Sequence, residues 1–404
     1  MSSKPGSFRA ALPQLSMLAL VFFFVFSARI ALSPLLPAIE EDLGLNHARS
    51  TSLFLFLSAG YGLFTLLSGF VSARIGHRGA MIAAASGGCL CLLAVALSPS
   101  LGLIRAGLAL IGMTTGLYLP SAVPAATSLV RPQEAGRALA IHELAPNLAF
   151  VLIPLLAASL LPVLSWRWLL VMLGLAGLGV ALLFALRGRS GGFRGELPHW
   201  GNVVMILSRP SFWVIAVLFA LGVGSGLGTF SILPTYLVSE RGLDPTLVNT
   251  LLGLSRISGL GAVFLAGWLA DRFGSRIVLA AILVGAGLTT ATLGLAGGAL
   301  LIAAVFVQPM LSASFFPVGY VAIARITPRR LYNVTVSLVM PVAFVLGAGA
   351  APAALGLAGD LVSFSSGLIL FGALLAAGSS LVLLLRFPTQ EAGTTGFVAA
   401  RPPR

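Results

Sequence analysis

Two arginines sit inside stretches of sequence that are otherwise close to hydrocarbon. Arg29 interrupts the run from Gln14 to Pro37, and Arg256 the run from Leu247 to Ala270. A guanidinium at such a place costs several kcal/mol unless it faces water, a partner or a ligand. Each lies eight or nine residues from the outer end of its run, roughly 12–14 Å deep at ~1.5 Å per residue. That is close to the middle of a ~30 Å hydrocarbon layer. No acidic residue falls at that depth, so ordinary ion pairing explains neither. Two guanidinium groups facing one cavity would form a fork for a small anion. The alternative is that each binds the free carbonyls of a broken helix or packs behind the cavity wall.

Other polar groups fall near the same layer: Tyr61, Thr115, Tyr118, Asn147, Gln308 and Tyr320. Gln308 and Tyr320 share one stripe with Ser312 on a helix. Each group alone serves an interhelical hydrogen bond or touches a ligand. One acid lies inside an apolar run, Glu143, with His142 beside it and Asn147 one helical turn on. A carboxylate held partly out of water binds its proton more tightly and can exchange it between states. His142 is the other candidate proton carrier; a structural network with Arg137 is the competing role.

The elements that must position these groups are membrane helices. Of 404 residues 58% are hydrophobic and 9% charged, with mean hydropathy +1.04, whereas a soluble chain carries about 25% charged residues. A span needs about 20 mostly apolar residues. Windows that satisfy this run 14–37, 50–72, 79–98, 102–129, 138–161, 167–187, 212–237, 247–270, 277–297, 299–325, 333–357 and 363–386, which predicts twelve. The first window follows Lys4 and Arg9 and mimics a signal peptide, but Phe26-Ser27-Ala28-Arg29 is a poor cleavage site, so it reads as a retained span.

The net charge of +13 raises the possibility of nucleic acid, and its distribution excludes it. Basic residues punctuate the gaps between apolar runs instead of forming one patch. With the amino terminus inside, eighteen fall on the cytoplasmic side and only Arg49, Arg105, Arg167 and Arg241 outside, as positive-inside sorting requires. Both termini are therefore expected in the cytoplasm. Cys89 and Cys91, two apart on a helix, point to different faces and are not expected to pair. The scattered histidines give no metal spacing, and no nucleophile–base–acid set appears. No cofactor, metal or enzymatic activity is expected.

The longest polar stretch, Arg187–Arg209, divides the chain into matching halves. Gly69-Phe-Val-Ser-Ala73-Arg74-Ile-Gly76-His77-Arg78 recurs as Gly267-Trp-Leu-Ala-Asp271-Arg272-Phe-Gly274-Ser-Arg276, at an offset of 198; Leu36-Pro37 recurs as Leu233-Pro234 at 197. Repetition at one offset argues a duplicated six-helix unit. The expected organisation is a bundle over 1–187, a cytoplasmic linker over 188–211, and a second bundle with a tail over 212–404.

These motifs resemble the loop signature of the major facilitator superfamily, complete in the second copy and lacking its acid, at Ala73, in the first. Glu134-Ala-Gly136-Arg137 and Trp166-Arg-Trp168 add to the resemblance. It implies an all-α membrane protein of twelve transmembrane helices in two pseudo-symmetric six-helix bundles, the major facilitator fold, working as a secondary transporter in a bacterial inner membrane. It also implies a gating role for Gly69, Arg74, Gly76, Arg78, Gly267, Asp271, Arg272, Gly274 and Arg276. The stretch Phe26–Pro37 is similar to the anion:cation symporter branch, where the arginine binds anionic substrate; Ala28 and Thr115 stand where that branch has acids. The resulting expectation is a monomer that moves a small organic anion, coupled to protons through Glu143 and His142. Electroneutral anion exchange and export of drugs or metabolites are the alternatives.

Overall fold

The structure, a computed structural model, describes residues 8–189, 200–328 and 331–385, and all of its regular structure is helical. Lys4, Arg194, Arg329, Arg330, Arg386, Arg401 and Arg404, which contribute to the predicted charge asymmetry, lie outside the described residues, as do positions 190–199 of the predicted linker. The rest of that linker includes a short helix, Trp200–Leu207.

Ten helices among the described residues are long and apolar enough to cross a membrane, against twelve predicted. Two places account for the difference. Helix α3, His47–Ala96, is 50 residues long and takes in two predicted spans. A straight rod of that length would reach ~75 Å, more than twice the hydrocarbon layer. It is not straight, because Gly76 inside it is non-helical at φ 74°, a left-handed value that favours glycine. The second place is the predicted span 247–270. It is two helices, α11 (Pro245–Ser255) and α12 (Ser258–Phe273), parted at Arg256 and Ile257.

The remaining elements follow the predicted windows closely. The amino-terminal rod is α1 (Phe8–Ile30) and α2 (Leu32–Leu43). After α3 come α4 (Leu101–Gly116), α5 (Tyr118–Ser128), α6 (Ala135–Leu160) and α7 (Trp166–Arg187). With Trp200–Leu207 as α8, the second half continues through α9 (Pro210–Val223) and α10 (Thr229–Ser239), then α13 (Ser275–Leu295) and α14 (Gly298–Ile326). It closes with α15 (Tyr332–Ala343), α16 (Ala351–Leu361) and α17 (Phe364–Gly378). Two connections inside this half are π-helical, Gly224–Gly228 between α9 and α10 and Phe344–Ala350 between α15 and α16. Helices approach closely where side chains are absent: at Gly60 and Gly112 the backbones of α3 and α4 leave no room for a Cβ, the usual basis of tight packing in lipid.

The sequence repeat reappears in local geometry at the same offset of 198. Asn46 and Asp244 cap their helices by accepting from the backbone N–H of Arg49 and Leu247. Gly44 and Gly242 are both left-handed, as are Gly76 and Gly274. Arg78 donates to the Ala185 and Gly188 carbonyls at the end of α7, and Arg276 to the Leu383 carbonyl just beyond α17. These loop arginines bind the last carbonyls of a neighbouring helix, where a cation is favoured.

The halves meet most firmly at the end opposite the two Gly–Arg loops. Among the described residues, every hydrogen bond between them lies there. Ser33 donates to the Phe230 carbonyl at 2.7 Å and Asn249 to the Pro34 carbonyl at 3.3 Å. Asp360, at the end of α16, accepts from the backbone N–H groups of His47 and Ala48 at 3.0 and 2.9 Å. It thereby caps α3 from the other half. The His47 ring packs on Phe364 and bonds to Glu40, which also accepts from Ser50. One hydrophobic core accordingly runs through the first half and into α10, α11 and the outer ends of α13, α14, α16 and α17. A second core belongs to the later half alone. At the loop end Asp271 and Arg272 are exposed, and Asp271 has no ion pair among the described residues. Arg272 lies over the Trp268 and Phe273 rings instead. Among the described residues no ion pair joins the two signature loops.

Candidate functional site

Arg29 is fixed by the break between α1 and α2. The rod Phe8–Leu43 passes through Ala31 with its helix interrupted by a turn residue, and Arg29 lies two residues before it, near the middle of the rod. Its guanidinium carbon stands 3.7 Å from the centre of the Tyr61 ring, 4.8 Å from Phe344 and 5.5 Å from Phe26. Such contacts stabilise a desolvated cation by about 2 kcal/mol or more. Its Nε is buried without a hydrogen-bond partner, and no carboxylate among the described residues lies within ion-pair distance.

The same arginine lines a cavity between the halves. The other polar groups in its wall are Ser58, Tyr61 and Ser231; the rest is apolar and comes from α1, α3, α10 and the two π-helical segments. The space between atoms is about 380 Å³, but it is narrow, with room for about one or two waters in this conformation. Both π-helical segments border it, through Leu227 and Ala348, and they touch one another at Gly224, Gly228 and Gly347. A π-helical turn shifts hydrogen bonds by one residue and recurs at functional sites.

Arg256 occupies the break between α11 and α12. Its guanidinium carbon lies 4.6 Å from the Phe150 ring and 4.5 Å from Phe230, and its Nη2 is 3.5 Å from the Gly226 carbonyl. Its Nε is also buried and unpartnered. Phe26, Phe150 and Phe230 form a chain of edge-to-face contacts 5.1 and 5.0 Å apart, so one aromatic cluster carries both arginines. They do not share one wall, however. Phe230 lines the Arg29 cavity while Arg256 lies against its ring and does not line it. The paired depth predicts a two-pronged fork; the structure has one arginine at the cavity and one behind a ring. That difference arises because the helix ends at Ser255, which lets the side chain turn toward the π-helical carbonyl.

The other sequence candidates divide in the same way. Tyr61 lies in the cavity wall. Gln308 is buried away from it, donating to the Ser225 carbonyl at 2.6 Å and to Ser312 at 2.9 Å. That network ties α14 to the π-helical segment whose Gly226 carbonyl faces Arg256. Thr115 spends its hydroxyl on the Ile111 carbonyl of its own helix. Tyr320 packs on Phe219. Asn147 is exposed and donates to the Glu143 carbonyl. Of these, only Tyr61 joins Arg29.

His142, Glu143 and Tyr118 form a separate group. His142 is fully buried, with its ring stacked 4.4 Å from Phe22; Nε2 lies 3.3 Å from the Tyr118 hydroxyl and Nδ1 3.3 Å from Glu143. Tyr118 is also fully buried, and its hydroxyl donates to the Leu18 carbonyl at 2.8 Å, which places it behind the bundle surface. The Glu143 side chain is 55% exposed. A line of polar contacts therefore runs from the exposed Glu143 through His142 to Tyr118 inside the first half.

Sequence reasoning missed the π-helical segments and Asp360. The glycine-dense Gly224-Ser-Gly-Leu-Gly228 and Gly347-Ala-Gly349 were the available signal for the former. Nothing local signals that Asp360 caps a helix more than 300 positions earlier.

The sequence model of the Major Facilitator Superfamily matches residues 18–299 and, in a second match, 231–402. No curated protein sequence matches significantly. Among solved structures, the chain is similar to a bacterial homolog of the human lysosomal transporter Spinster in an inward-facing, occupied conformation. The TM-score is 0.78 at 16% identity, covering 95% of this chain and 97% of the other. A mutant peptide transporter, POT, in complex with sulfate has a TM-score of 0.75 at 16% identity, with 95% and 96% covered. A D-xylose–proton symporter has 0.74 at 15% identity, with 93% and 98% covered.

Proposed function

Given that the chain belongs to the Major Facilitator Superfamily, and is therefore a multi-pass secondary transporter and not an enzyme, we propose that it carries a small organic anion, carboxylate-like, held by Arg29. The observation that carries this reading is a half-buried guanidinium, its Nε unpartnered and with no carboxylate partner among the described residues, lining a cavity between the halves. Arg256, one phenylalanine ring behind, adds a second positive charge to the field at the site. A desolvated cation of this kind is retained where function requires it, and the planar fork suits a carboxylate. The likeness of the first span to the anion:cation symporter branch enters only through Arg29.

Transport proceeds by alternating access between two six-helix bundles, 1–187 and 212–404, joined by the linker 188–211. On this reading α3 crosses twice, reversing at Gly76, and α11 with α12 makes one broken crossing, giving twelve. The signature loops and both termini are cytoplasmic in a bacterial inner membrane, so the closed end is the outer one. The conformation is then closed outside, with Asp271 in no ion pair among the described residues. The protein works as a monomer. Glu143 and His142 carry the coupling proton, by analogy with the D-xylose–proton symporter of the same fold. Proteoliposomes test the central point: carboxylate uptake should be lost in Arg29→Ala while folding is retained. Undiminished anion uptake in that variant contradicts it. Exchange of one anion for another is the second reading, favoured by the lack of any carboxylate in the cavity wall. Counterflow that needs no proton gradient would select it.

A further inference from the structure

The geometry points to a narrower cargo than an organic anion in general: a monocarboxylate with a small apolar or aromatic body. The inference rests on the reading of Arg29 as the anion ligand. Its first support is the number of charges. Arg29 is the only charged residue in the cavity wall, and Arg256 is screened from the cavity by the Phe230 ring. A second carboxylate on the cargo would therefore meet hydrocarbon without a partner. An unpaired buried charge costs several kcal/mol, enough to reject a dicarboxylate by more than tenfold.

The second support is the remainder of the wall. Ile30, Phe54, Leu57, Leu227, Phe230 and Ala348 supply six apolar surfaces. Of the three neutral polar groups, Ser231 already donates to the Leu227 carbonyl at 2.7 Å. Ser58 and Tyr61 remain, too few to satisfy a polyol, each of whose unmatched hydroxyls would cost about 1–3 kcal/mol. An aromatic or branched aliphatic body loses nothing there and gains from its burial.

The third support is the pair of π-helical segments. The cavity is too narrow for such a body in this conformation, and the segments bordering it carry the irregular hydrogen bonding. Leu227 and Ala348 are the walls placed to move apart when the body enters. Alkyl and ring surfaces slide against those walls without breaking polar contacts, which a sugar-like cargo could not do.

The test measures binding to the purified full-length protein in detergent with a matched set of probes: benzoate, isovalerate, phthalate, gluconate and benzamide. Thermal stabilisation grows with the logarithm of ligand concentration over Kd, so at equal concentration it ranks the probes by affinity. Benzoate and isovalerate should stabilise the protein, phthalate and gluconate should bind at least tenfold more weakly, and benzamide should have no effect. The stabilisation should vanish in Arg29→Ala and in Ser58→Asp. The second variant keeps the arginine but puts a competing carboxylate in the wall, so it remains informative if removal of Arg29 impairs folding. Arg29-dependent binding of phthalate or gluconate at least as tight as benzoate overturns the narrow class and leaves the anion reading intact. If no anion in the set binds in an Arg29-dependent way, both fail together.

Discussion

Arg29 and Arg256 lie on equivalent helix pairs of the two repeats, with the roles of the helices exchanged. At the offset of 197 that matches Pro37 to Pro234, Arg29 corresponds to Gly226; at 198, Arg256 corresponds to Ser58. In the first half the arginine is on the first helix and its neighbour across the pair is Ser58, in the same cavity wall. In the second half the arginine is on the other helix and its neighbour is the Gly226 carbonyl. Two halves built to one plan thus treat the same charge differently. One leaves the guanidinium facing a cavity between the halves. The other folds it back on a π-helical carbonyl and two phenylalanine rings. On the proposed reading, divergence of one residue on each side decides which arginine meets the cargo.

The largest effect should come from abolishing the cavity-lining member of the pair. Arg29→Ala is expected to weaken binding of a carboxylate about 10- to 100-fold, the worth of a charged bidentate hydrogen bond of about 1.5–3 kcal/mol. Isothermal titration in detergent measures it. Arg29→Lys keeps the charge but loses the planar fork, and should recover part of that affinity in the same titration. Arg256→Ala sharpens the contrast. It removes a charge one ring away and a cation–π support of Phe230, so the fall should be several-fold and smaller than that of Arg29→Ala. Equal losses in the two alanine variants would mean that both arginines touch the cargo and would break the asymmetry.

Two smaller effects concern regions outside the arginine pair. Glu143→Gln combined with His142→Ala should leave anion binding by Arg29 intact while abolishing proton-driven accumulation, measured as uptake under an imposed pH gradient. Unchanged accumulation in that double variant removes the coupling role. Asp360→Ala should have the least effect on binding, since the residue lies at the closed end. Loss of a helix cap costs about 0.5–2 kcal/mol, which would shift the balance toward the outward-open state by roughly 2- to 30-fold. Accessibility of a cysteine introduced at Ser231 to an impermeant reagent from the outside would report it.

Much of the fold was readable from residue order because lipid imposes length on every span and the loops punctuate them. Gly76 and Gly274 stood out as repeated positions, and their left-handed backbone explains why glycine occupies both. Asn46 and Asp244 have the chemistry of helix caps and serve as caps. The break at Arg256 could not be read. Nothing in Leu-Ser-Arg-Ile-Ser dictates that the helix stops. Tyr118 and Gln308 were chosen for polarity at the right depth. Their hydroxyl and amide are committed to Leu18 and to Ser225, partners 100 and 83 positions away. Depth can be counted along a chain, whereas facing depends on such distant partners. Arg29 was legible because it is a cost that no neighbour in sequence offsets.

The most direct test of the account is a binding titration of benzoate to purified protein, run side by side on the native chain, Arg29→Ala and Arg256→Ala. The account predicts saturable binding to the native chain, a loss of at least about tenfold without Arg29, and a clearly smaller loss without Arg256. Native-like affinity in folded Arg29→Ala would contradict it.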